Sequence, residues 1–488
     1  MLEILKTSLL LYLPEVVCVV LMCLLLIAES MHKEEGTDRK SVFVLATAGL
    51  VLAAAFLVHN LGIPGAPAFY QAVVIDSFGT FMKLIMVGGT IGTIWLARSS
   101  NDIYPNLKSE FAIMAVGTLI GGMLLASANN MLTLYLGIET LSILSYVMSS
   151  LKREDSTSTE AGMKYALYGG LTAGVMLFGM SHIYGMLGSI QFVELVPKVA
   201  ALQGADQVYL MASFLLFFAG LGYKISAFPF HMWSPDVYQG SPIPVTAFFA
   251  IVPKMAGLAV LIRVSHLFFG GDSGLAIAWV GLLHVVAALT MTVGNVSAIG
   301  QDSVKRLLAF SSIGHVGMMI MGIVVLNEVG ARAILFYGVA YMFMTLVAFW
   351  ITSVLNDAYG TDSQAVFRGL IHRHPVMAIA MCVVLFSLAG MPPFSGFVAK
   401  FNILSVAIEK GYMSLAFIAA INSVIALYYY MKLVKEMVFG KAESQEKVAG
   451  FTEGTTALIV VLTIPVFLLG IFWEGLMNLS GSAKLFLQ

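Results

Sequence analysis

The sequence predicts an all-α polytopic membrane protein of about 14 transmembrane helices. These fall into two inverted five-helix repeats, with discontinuous helices 7 and 12. Three observations predict this. The 488-residue chain is 59% hydrophobic and only 11% charged, where a soluble domain carries roughly 25% charged residues. Apolar runs long enough to cross a bilayer follow one another along the chain. Two of these runs are interrupted by proline and glycine five spans apart, a pointer to inverted-repeat transport folds.

A span needs about 20 mainly apolar residues. The expected spans are 8–29, 41–62, 72–97, 111–127, 130–150, 160–187, 208–239, 243–268, 274–296, 304–326, 330–355, 375–409, 412–439 and 454–478. They group as 1–110 (helices 1–3), 111–268 (first repeat, helices 4–8), 269–439 (second repeat, helices 9–13) and 440–488 (helix 14). The loops are too short to hold an aqueous catalytic module. The first span has an apolar core too long for a signal-peptide h-region, so it is expected to be retained. Cys18, Cys23 and Cys382 are scattered through apolar runs, which argues against a disulfide framework or a metal site.

Orientation follows from lysine and arginine. Loops after odd-numbered spans hold Lys33, Arg39, Lys40, Arg98, Lys108, Lys152, Arg153, Lys305, Arg306, Arg368, Arg373, Lys432, Lys435, Lys441 and Lys447. The other loops and the termini hold Lys6, Lys198, Arg263, Arg332, Lys410 and Lys484. The odd-numbered loops are therefore expected on the cytoplasmic side and both termini on the opposite side. A net charge of −1 indicates no pull towards nucleic acid.

Span 7 contains KISAFPFHMWSPDVYQ, with breaks expected at Pro229 and Pro235. Span 12 contains SLAGMPPFSGFVAKF, with a break expected at Gly390 and Pro392–Pro393. Proline removes a backbone donor and clashes with the preceding turn. In lipid the freed groups must face protein or a water-lined cavity. The plain alternative is that prolines are common in membrane helices and the match is coincidence.

Buried charges are the second unusual feature. Glu139, Lys224, Lys254 and Lys400 all fall within spans, where a charge at mid-depth costs about 2.5–3.5 kcal/mol. Burial eases a lysine's release of its proton, and a nearby carboxylate opposes it. A Glu–Lys pair with variable distance or solvation can thus switch a lysine between holding and releasing a proton. Glu139 with Lys224 can equally be a static buried ion pair. That alternative leaves Lys254 and Lys400 without partners. Lys83 follows Asp76 by seven residues on the same helix face, which suggests structural pairing, and Glu15 and Asp302 look interfacial. His231 and His315 are intramembrane and can relay a proton or simply pack with hydrogen bonds. No metal spacing, dinucleotide fingerprint or phosphate loop is visible. The aromatic and methionine runs, YYYM at 428–431 among them, read as ordinary membrane packing.

Four stretches carry a resemblance: YLGIETLSILSYV (135–147), KISAFPFHMWSPDVYQGSPIPVTAFFAIVPKMAGL (224–258), DSVKRLLAFSSIGHVGMM (302–319) and SLAGMPPFSGFVAKF (387–401). Together they resemble the antiporter-like membrane subunits of respiratory complex I over spans 4 to 13. The N-type branch is the nearer one, because Lys400 stands where the M-type branch has glutamate and no long lateral-helix extension follows span 14. The resemblance implies a proton-pumping subunit of an NADH:quinone oxidoreductase in the bacterial plasma (cell inner) membrane. It implies that Glu139 modulates Lys224 of the first half-channel, that Lys254 connects, and that Lys400 serves the second half-channel. His231 and His315 lie in matching motifs. No cofactor is implied in this chain. NADH, FMN, iron–sulfur clusters and quinone belong to the whole complex, with M-, K- and J-type subunits as neighbours. The donor stays open between NADH and ferredoxin- or F420-linked systems. The alternatives are a subunit of a multi-component cation/proton antiporter, a non-pumping scaffold subunit, or a stand-alone transporter of small solutes.

Overall fold

Apolar segments of this length can satisfy their backbone groups in hydrocarbon only as helices or closed barrels. The computed structural model describes residues 2–31, 40–270, 273–441 and 450–485 and is almost wholly helical. Lys33, Arg39 and Lys447, counted above for orientation, lie outside the described residues. The chain opens with α1 (Leu2–Leu11), α2 (Leu13–Met31) and α3 (Lys40–Asn60). A short antiparallel hairpin follows, β1 (Ala66–Ala68) and β2 (Val73–Ile75), with Ala66 opposite Ile75. Next come α4 (Ser77–Ser99), α5 (Lys108–Ser127), α6 (Met131–Ser149), α7 (Ser156–Leu187) and α8 (Phe192–Ala201). Span 7 is α9 (Ala205–Ile225) and α10 (Trp233–Gly240). The remaining central helices are α11 (Ile243–Phe269), α12 (Gly274–Ala298), α13 (Val304–Val324) and α14 (Glu328–Tyr359). After α15 (Leu370–Arg373), span 12 is α16 (Pro375–Ala389) and α17 (Ser395–Glu409). The chain closes with α18 (Met413–Phe439), α19 (Glu453–Ile471) and α20 (Trp473–Ser482).

Among the described residues, thirteen helices are long and apolar enough to cross a membrane, and the short apolar α16 stands apart from them. The expected all-α polytopic class therefore holds. α11 and α13 are wholly enclosed by other helices and α14 nearly so, whereas α19 is only 11% buried. This ordering matters because Lys254 and His315 sit on the two enclosed helices. Close approach comes from small residues, the usual device where lipid supplies no hydrophobic drive. A methyl group on Gly294 of α12 would stand 2.6 Å from the Gly314 amide nitrogen of α13.

Several boundaries differ from expectation. Span 3 starts at Ser77 rather than 72, because Val73–Ile75 pair in the hairpin and Asp76 caps α4 by accepting from the Gly79 amide at 2.7 Å. Pro235 does not break span 7. It lies in the first turn of α10, where an amide has no intrahelical acceptor and its loss is harmless. The break is Ser226–Met232, entered through Ser226 in the left-handed region with φ 59°. The loop between spans 6 and 7 contains α8, which buries Phe192, Leu195 and Val199 on one face. On the lysine-rich side, Asp155 caps α7, and the Thr157 hydroxyl holds its carboxyl below the usual carboxylate range.

The charges near the opposite end pair differently from the sequence expectation. Lys83 does not meet Asp76. It pairs with Glu15 of α2, which is 2% exposed rather than interfacial. Asp76 is engaged by Arg263, whose guanidinium donates to both carboxylate oxygens at 2.7 and 3.0 Å and to the Ala126 carbonyl at 2.9 Å. Arg263 is accordingly a buried residue of α11 and not a loop charge. Both carboxylates are consumed locally, so the seven-residue spacing of Asp76 and Lys83 brings nothing together. Removing one member of a buried pair leaves an uncompensated charge, at about 3–5 kcal/mol. Arg263→Leu should therefore lower the detergent-resistant melting temperature and the yield of assembled protein, and adding Asp76→Asn should recover much of the loss. A single variant as stable as the double would refute this account.

Candidate functional site

Lys224 occupies the last turn of α9, where the helix dipole favours a cation. It is 3% exposed, and its ammonium has no hydrogen-bond partner among the described residues. Three tyrosine rings face it instead: Tyr146 at 5.4 Å, Tyr223 at 5.5 Å and Tyr165 at 5.6 Å. This box is held rigidly. Tyr165 stacks on Trp233 with centroids 4.3 Å apart, Trp233 donates to the Tyr223 carbonyl at 3.0 Å, and the Tyr223 hydroxyl donates to the Tyr165 carbonyl at 2.7 Å. Glu139 is half-buried on α6, with one carboxylate oxygen buried and unpartnered. It lies within electrostatic range of Lys224 and Tyr146. The static ion pair expected as the alternative is therefore not formed, and an aromatic ring stands beside the ammonium in place of the carboxylate.

Lys254 is fully buried on α11 and donates to the Ser312 hydroxyl of α13. The Tyr238 ring of α10 lies 5.4 Å from its ammonium. One turn beyond Ser312, His315 makes hydrogen bonds at both ring nitrogens, to the Tyr337 hydroxyl at 2.6 Å and the Tyr430 hydroxyl at 3.3 Å. Tyr430 is also hydrogen-bonded to Ser311. The neighbouring Tyr429 hydroxyl donates to Asn295 at 3.0 Å, and the Asn295 amide donates to Asn422 at 3.3 Å. Tyr429 and Tyr430 of the YYY run are thus part of a hydrogen-bonded network, not the plain packing their composition suggested. A tyrosine is counted as apolar until its hydroxyl finds a buried partner.

Lys400 is 7% exposed in the second turn of α17. Its ammonium donates to the Ala389 carbonyl at 2.9 Å, the last carbonyl of α16. Helix C-termini leave such acceptors unfilled, so the break supplies the partner for the lysine. Gly390 makes this possible. Its φ is 88°, and a methyl group there would stand 2.7 Å from the Lys400 side chain. A cavity of about 10 Å³ lies between Lys400, His315, Asn295 and Asn422, room for a single water.

Lys254, His315 and Lys400 therefore share one polar line, and Lys224 with Glu139 forms a separate cluster across the α9–α11 contact. His231 joins neither. It is half-buried, stacked on Phe228 at 5.6 Å, with an unpartnered ring nitrogen. At the lysine-rich end, a polar cavity of about 340 Å³ is lined by Glu160, Lys164, Asp236, Gln239 and Asp362. Lys164 bridges Glu160 at 2.8 Å and Asp236 at 2.9 Å, and Arg306 meets Asp236 at 2.7 Å. Ser312, Asn295 and Asn422 carry no charge that would mark them in the sequence. The two asparagines, each alone in an apolar run, were the available signal. Among the described residues no group of three or more His, Cys, Asp or Glu side chains is placed to hold a metal ion.

The fold and its interior define the class first: a polytopic helical membrane subunit of the antiporter-like kind, with a broken-helix core and buried lysines. The family model described as NADH:quinone oxidoreductase/Mrp antiporter matches residues 128–426. NADH-quinone oxidoreductase subunit N 2 of Sorangium cellulosum is 38% identical over 488 residues, covering 96% of this chain and 95% of the relative. Subunit N of an Anaeromyxobacter species is 35% identical, covering 89% of each. A chain of respiratory complex I from Thermus thermophilus superposes with a TM-score of 0.81 at 28% identity, over 96% of this chain and 100% of that one. A chain of the Mrp complex from Dietzia shares the fold alone, with a TM-score of 0.82 at 20% identity over 98% and 96% of the two chains. The chain belongs to the NADH-quinone oxidoreductase subunit N family.

Gly390→Ala should force a strained backbone, at about 1–3 kcal/mol, and displace Lys400 from the Ala389 carbonyl. In assembled complex, proton pumping per quinone reduced should fall sharply while the protein remains folded. Unchanged pumping would mean that the Lys400–Ala389 contact is incidental.

Proposed function

We propose that this chain moves protons through its own interior along Lys224, Lys254, His315 and Lys400, with Glu139 biasing Lys224. As a subunit N family member it is a proton-translocating membrane-arm subunit of NADH-quinone oxidoreductase. The observation that carries the relay is the polar line from Lys254 through Ser312, His315 and the water-sized cavity to Lys400. Its Lys254, Ser312 and His315 lie on α11 and α13, the two fully enclosed helices. Charges at such depth cost about 2.5–3.5 kcal/mol each, and a relay gives them a use that packing does not.

Protons are taken up through the cavity beside Lys164, Asp236 and Glu160 on the lysine-rich, cytoplasmic side. Tyr165, next to Lys164 on α7, forms one wall of the Lys224 box. Lys224 passes its proton to Lys254 when the Glu139 carboxylate moves or changes its solvation. Lys254 hands on through Ser312, whose hydroxyl can accept and donate. Lys400 releases to the opposite face, where both termini lie. His231 stands off this path. The units 111–268 and 269–439 act as the two half-channels, with 1–110 and 440–488 flanking them. The membrane is the bacterial plasma membrane, M-, K- and J-type subunits are the neighbours, and NADH, FMN, iron–sulfur clusters and quinone sit elsewhere in the complex.

Lys224→Met or Lys400→Met should abolish the proton gradient in vesicles, measured with a pH-sensitive dye, in complexes that still assemble. Full pumping by an assembled Lys224→Met, Lys400→Met double variant would sink the relay. Ser312→Ala removes a hydrogen bond to a charged group, worth about 1.5–3 kcal/mol, and should slow coupled turnover by about tenfold or more. A cation/proton antiporter would instead show sodium-dependent proton exchange without quinone.

A further inference from the structure

A large cleft opens between α4, α14 and α19, well away from the lysine line. Its volume is about 790 Å³. Ile91, Trp95, Phe343, Leu346, Leu458 and Leu462 form apolar walls along its length. Its other lining residues include Arg98, Ser99, Thr452 and Thr455, all at the lysine-rich end of the bundle. The cleft is thus apolar along its depth and cationic at one mouth.

Two further observations bear on what fills it. Arg98 lies over the Trp95 ring at 4.9 Å and the Phe43 ring at 5.9 Å, and no ion pair joins it to an acid among the described residues. The rings hold the guanidinium in place and leave its donor edge to a ligand. Trp350 also lines the cleft, is 2% exposed, and its indole N–H has no partner. A buried indole donor normally has a partner. A ligand that answers both needs an anionic group at Arg98, an acceptor oxygen within reach of Trp350, and a long apolar tail.

We propose that this cleft binds one anionic phospholipid. The phosphate sits on Arg98 beside the Thr455 hydroxyl, an ester carbonyl accepts from Trp350, and an acyl chain runs between α4 and α19. Basic pockets between membrane helices on the cytoplasmic side hold such headgroups. A free inorganic anion would leave the apolar walls unfilled, and a zwitterionic lipid carries an ammonium towards Arg98. The lipid wedges α19, the least enclosed of the long helices, against α4 and α14. The opposite end of α19 lies on the span 12 break, where a methyl group on Gly470 would collide with the Pro393 carbonyl oxygen. The bound lipid therefore seats the helix that covers the break.

The test uses the assembled complex in nanodiscs of phosphatidylcholine, with and without phosphatidylglycerol, and counts retained lipids by mass spectrometry. The wild type should retain phosphatidylglycerol in preference to phosphatidylcholine. Arg98→Gln should weaken that preference by about tenfold or more, the loss of one charge-assisted hydrogen bond. Leu458→Trp, which fills the apolar part of the cleft and keeps Arg98, should remove the bound lipid altogether. Equal retention of the two lipids by the wild type would overturn the site. So would an Arg98→Gln variant that keeps the preference, or a map of the complex with a neighbouring subunit's side chains in the cleft. None of these outcomes depends on the lysine relay, which is tested by pumping.

Discussion

The bond from Lys400 to the Ala389 carbonyl shows in one contact the constraint behind the whole structure. A backbone polar group in hydrocarbon is costly to leave without a partner. Span 12 is cut at Gly390, which frees the last carbonyls of α16 and would be expensive if nothing met them. A lysine at the same depth would be expensive for the same reason. Each resolves the other's problem, and the left-handed glycine between them provides both the turn and the space. The break and the charge are one device.

The first half solves the same problem in another way. Lys224 stands at the end of α9, just ahead of the break, and its ammonium is met by tyrosine faces rather than by a carbonyl or carboxylate. A ring attracts a cation without fixing its proton by a strong hydrogen bond. Lys400 by contrast makes a defined bond, and Lys254 makes one to Ser312. The three lysines thus differ in what meets the ammonium: tyrosine faces at Lys224, a hydroxyl at Lys254 and a carbonyl at Lys400. Elsewhere the same constraint is met statically. Asp76–Arg263 and Glu15–Lys83 are buried pairs that tie α4 to α11 and to α2, and the bidentate arginine leaves little freedom.

Much of the fold was legible in the sequence because membrane helices announce themselves locally. Hydropathy finds each span without knowledge of its neighbours, and the helices α11, α12, α13 and α18 start within one residue of expectation. The errors fell where a competing local rule won. Asp76 caps a helix and so delays it, and Pro235 is harmless in a first turn. The site was legible only in part. Glu139, Lys224, Lys254 and Lys400 stand out because a charge inside an apolar run is conspicuous. Ser312, Tyr430 and Asn295 do not, because their role lies in what they touch.

The sequence by itself determined that the chain crosses a membrane many times, that two crossings are broken, and that Lys224, Lys254 and Lys400 lie inside the bundle. These properties depend on the transfer of single residues and short runs out of water, and composition reports that directly. Only the tertiary structure decided the partners. Arg263 and Asp76 are 187 residues apart, and Lys254 and Ser312 are 58 apart. Whether such residues meet depends on the rotation of each helix about its axis and on its neighbours in the bundle. Small changes in the packing of faces set those rotations, and no single segment encodes them.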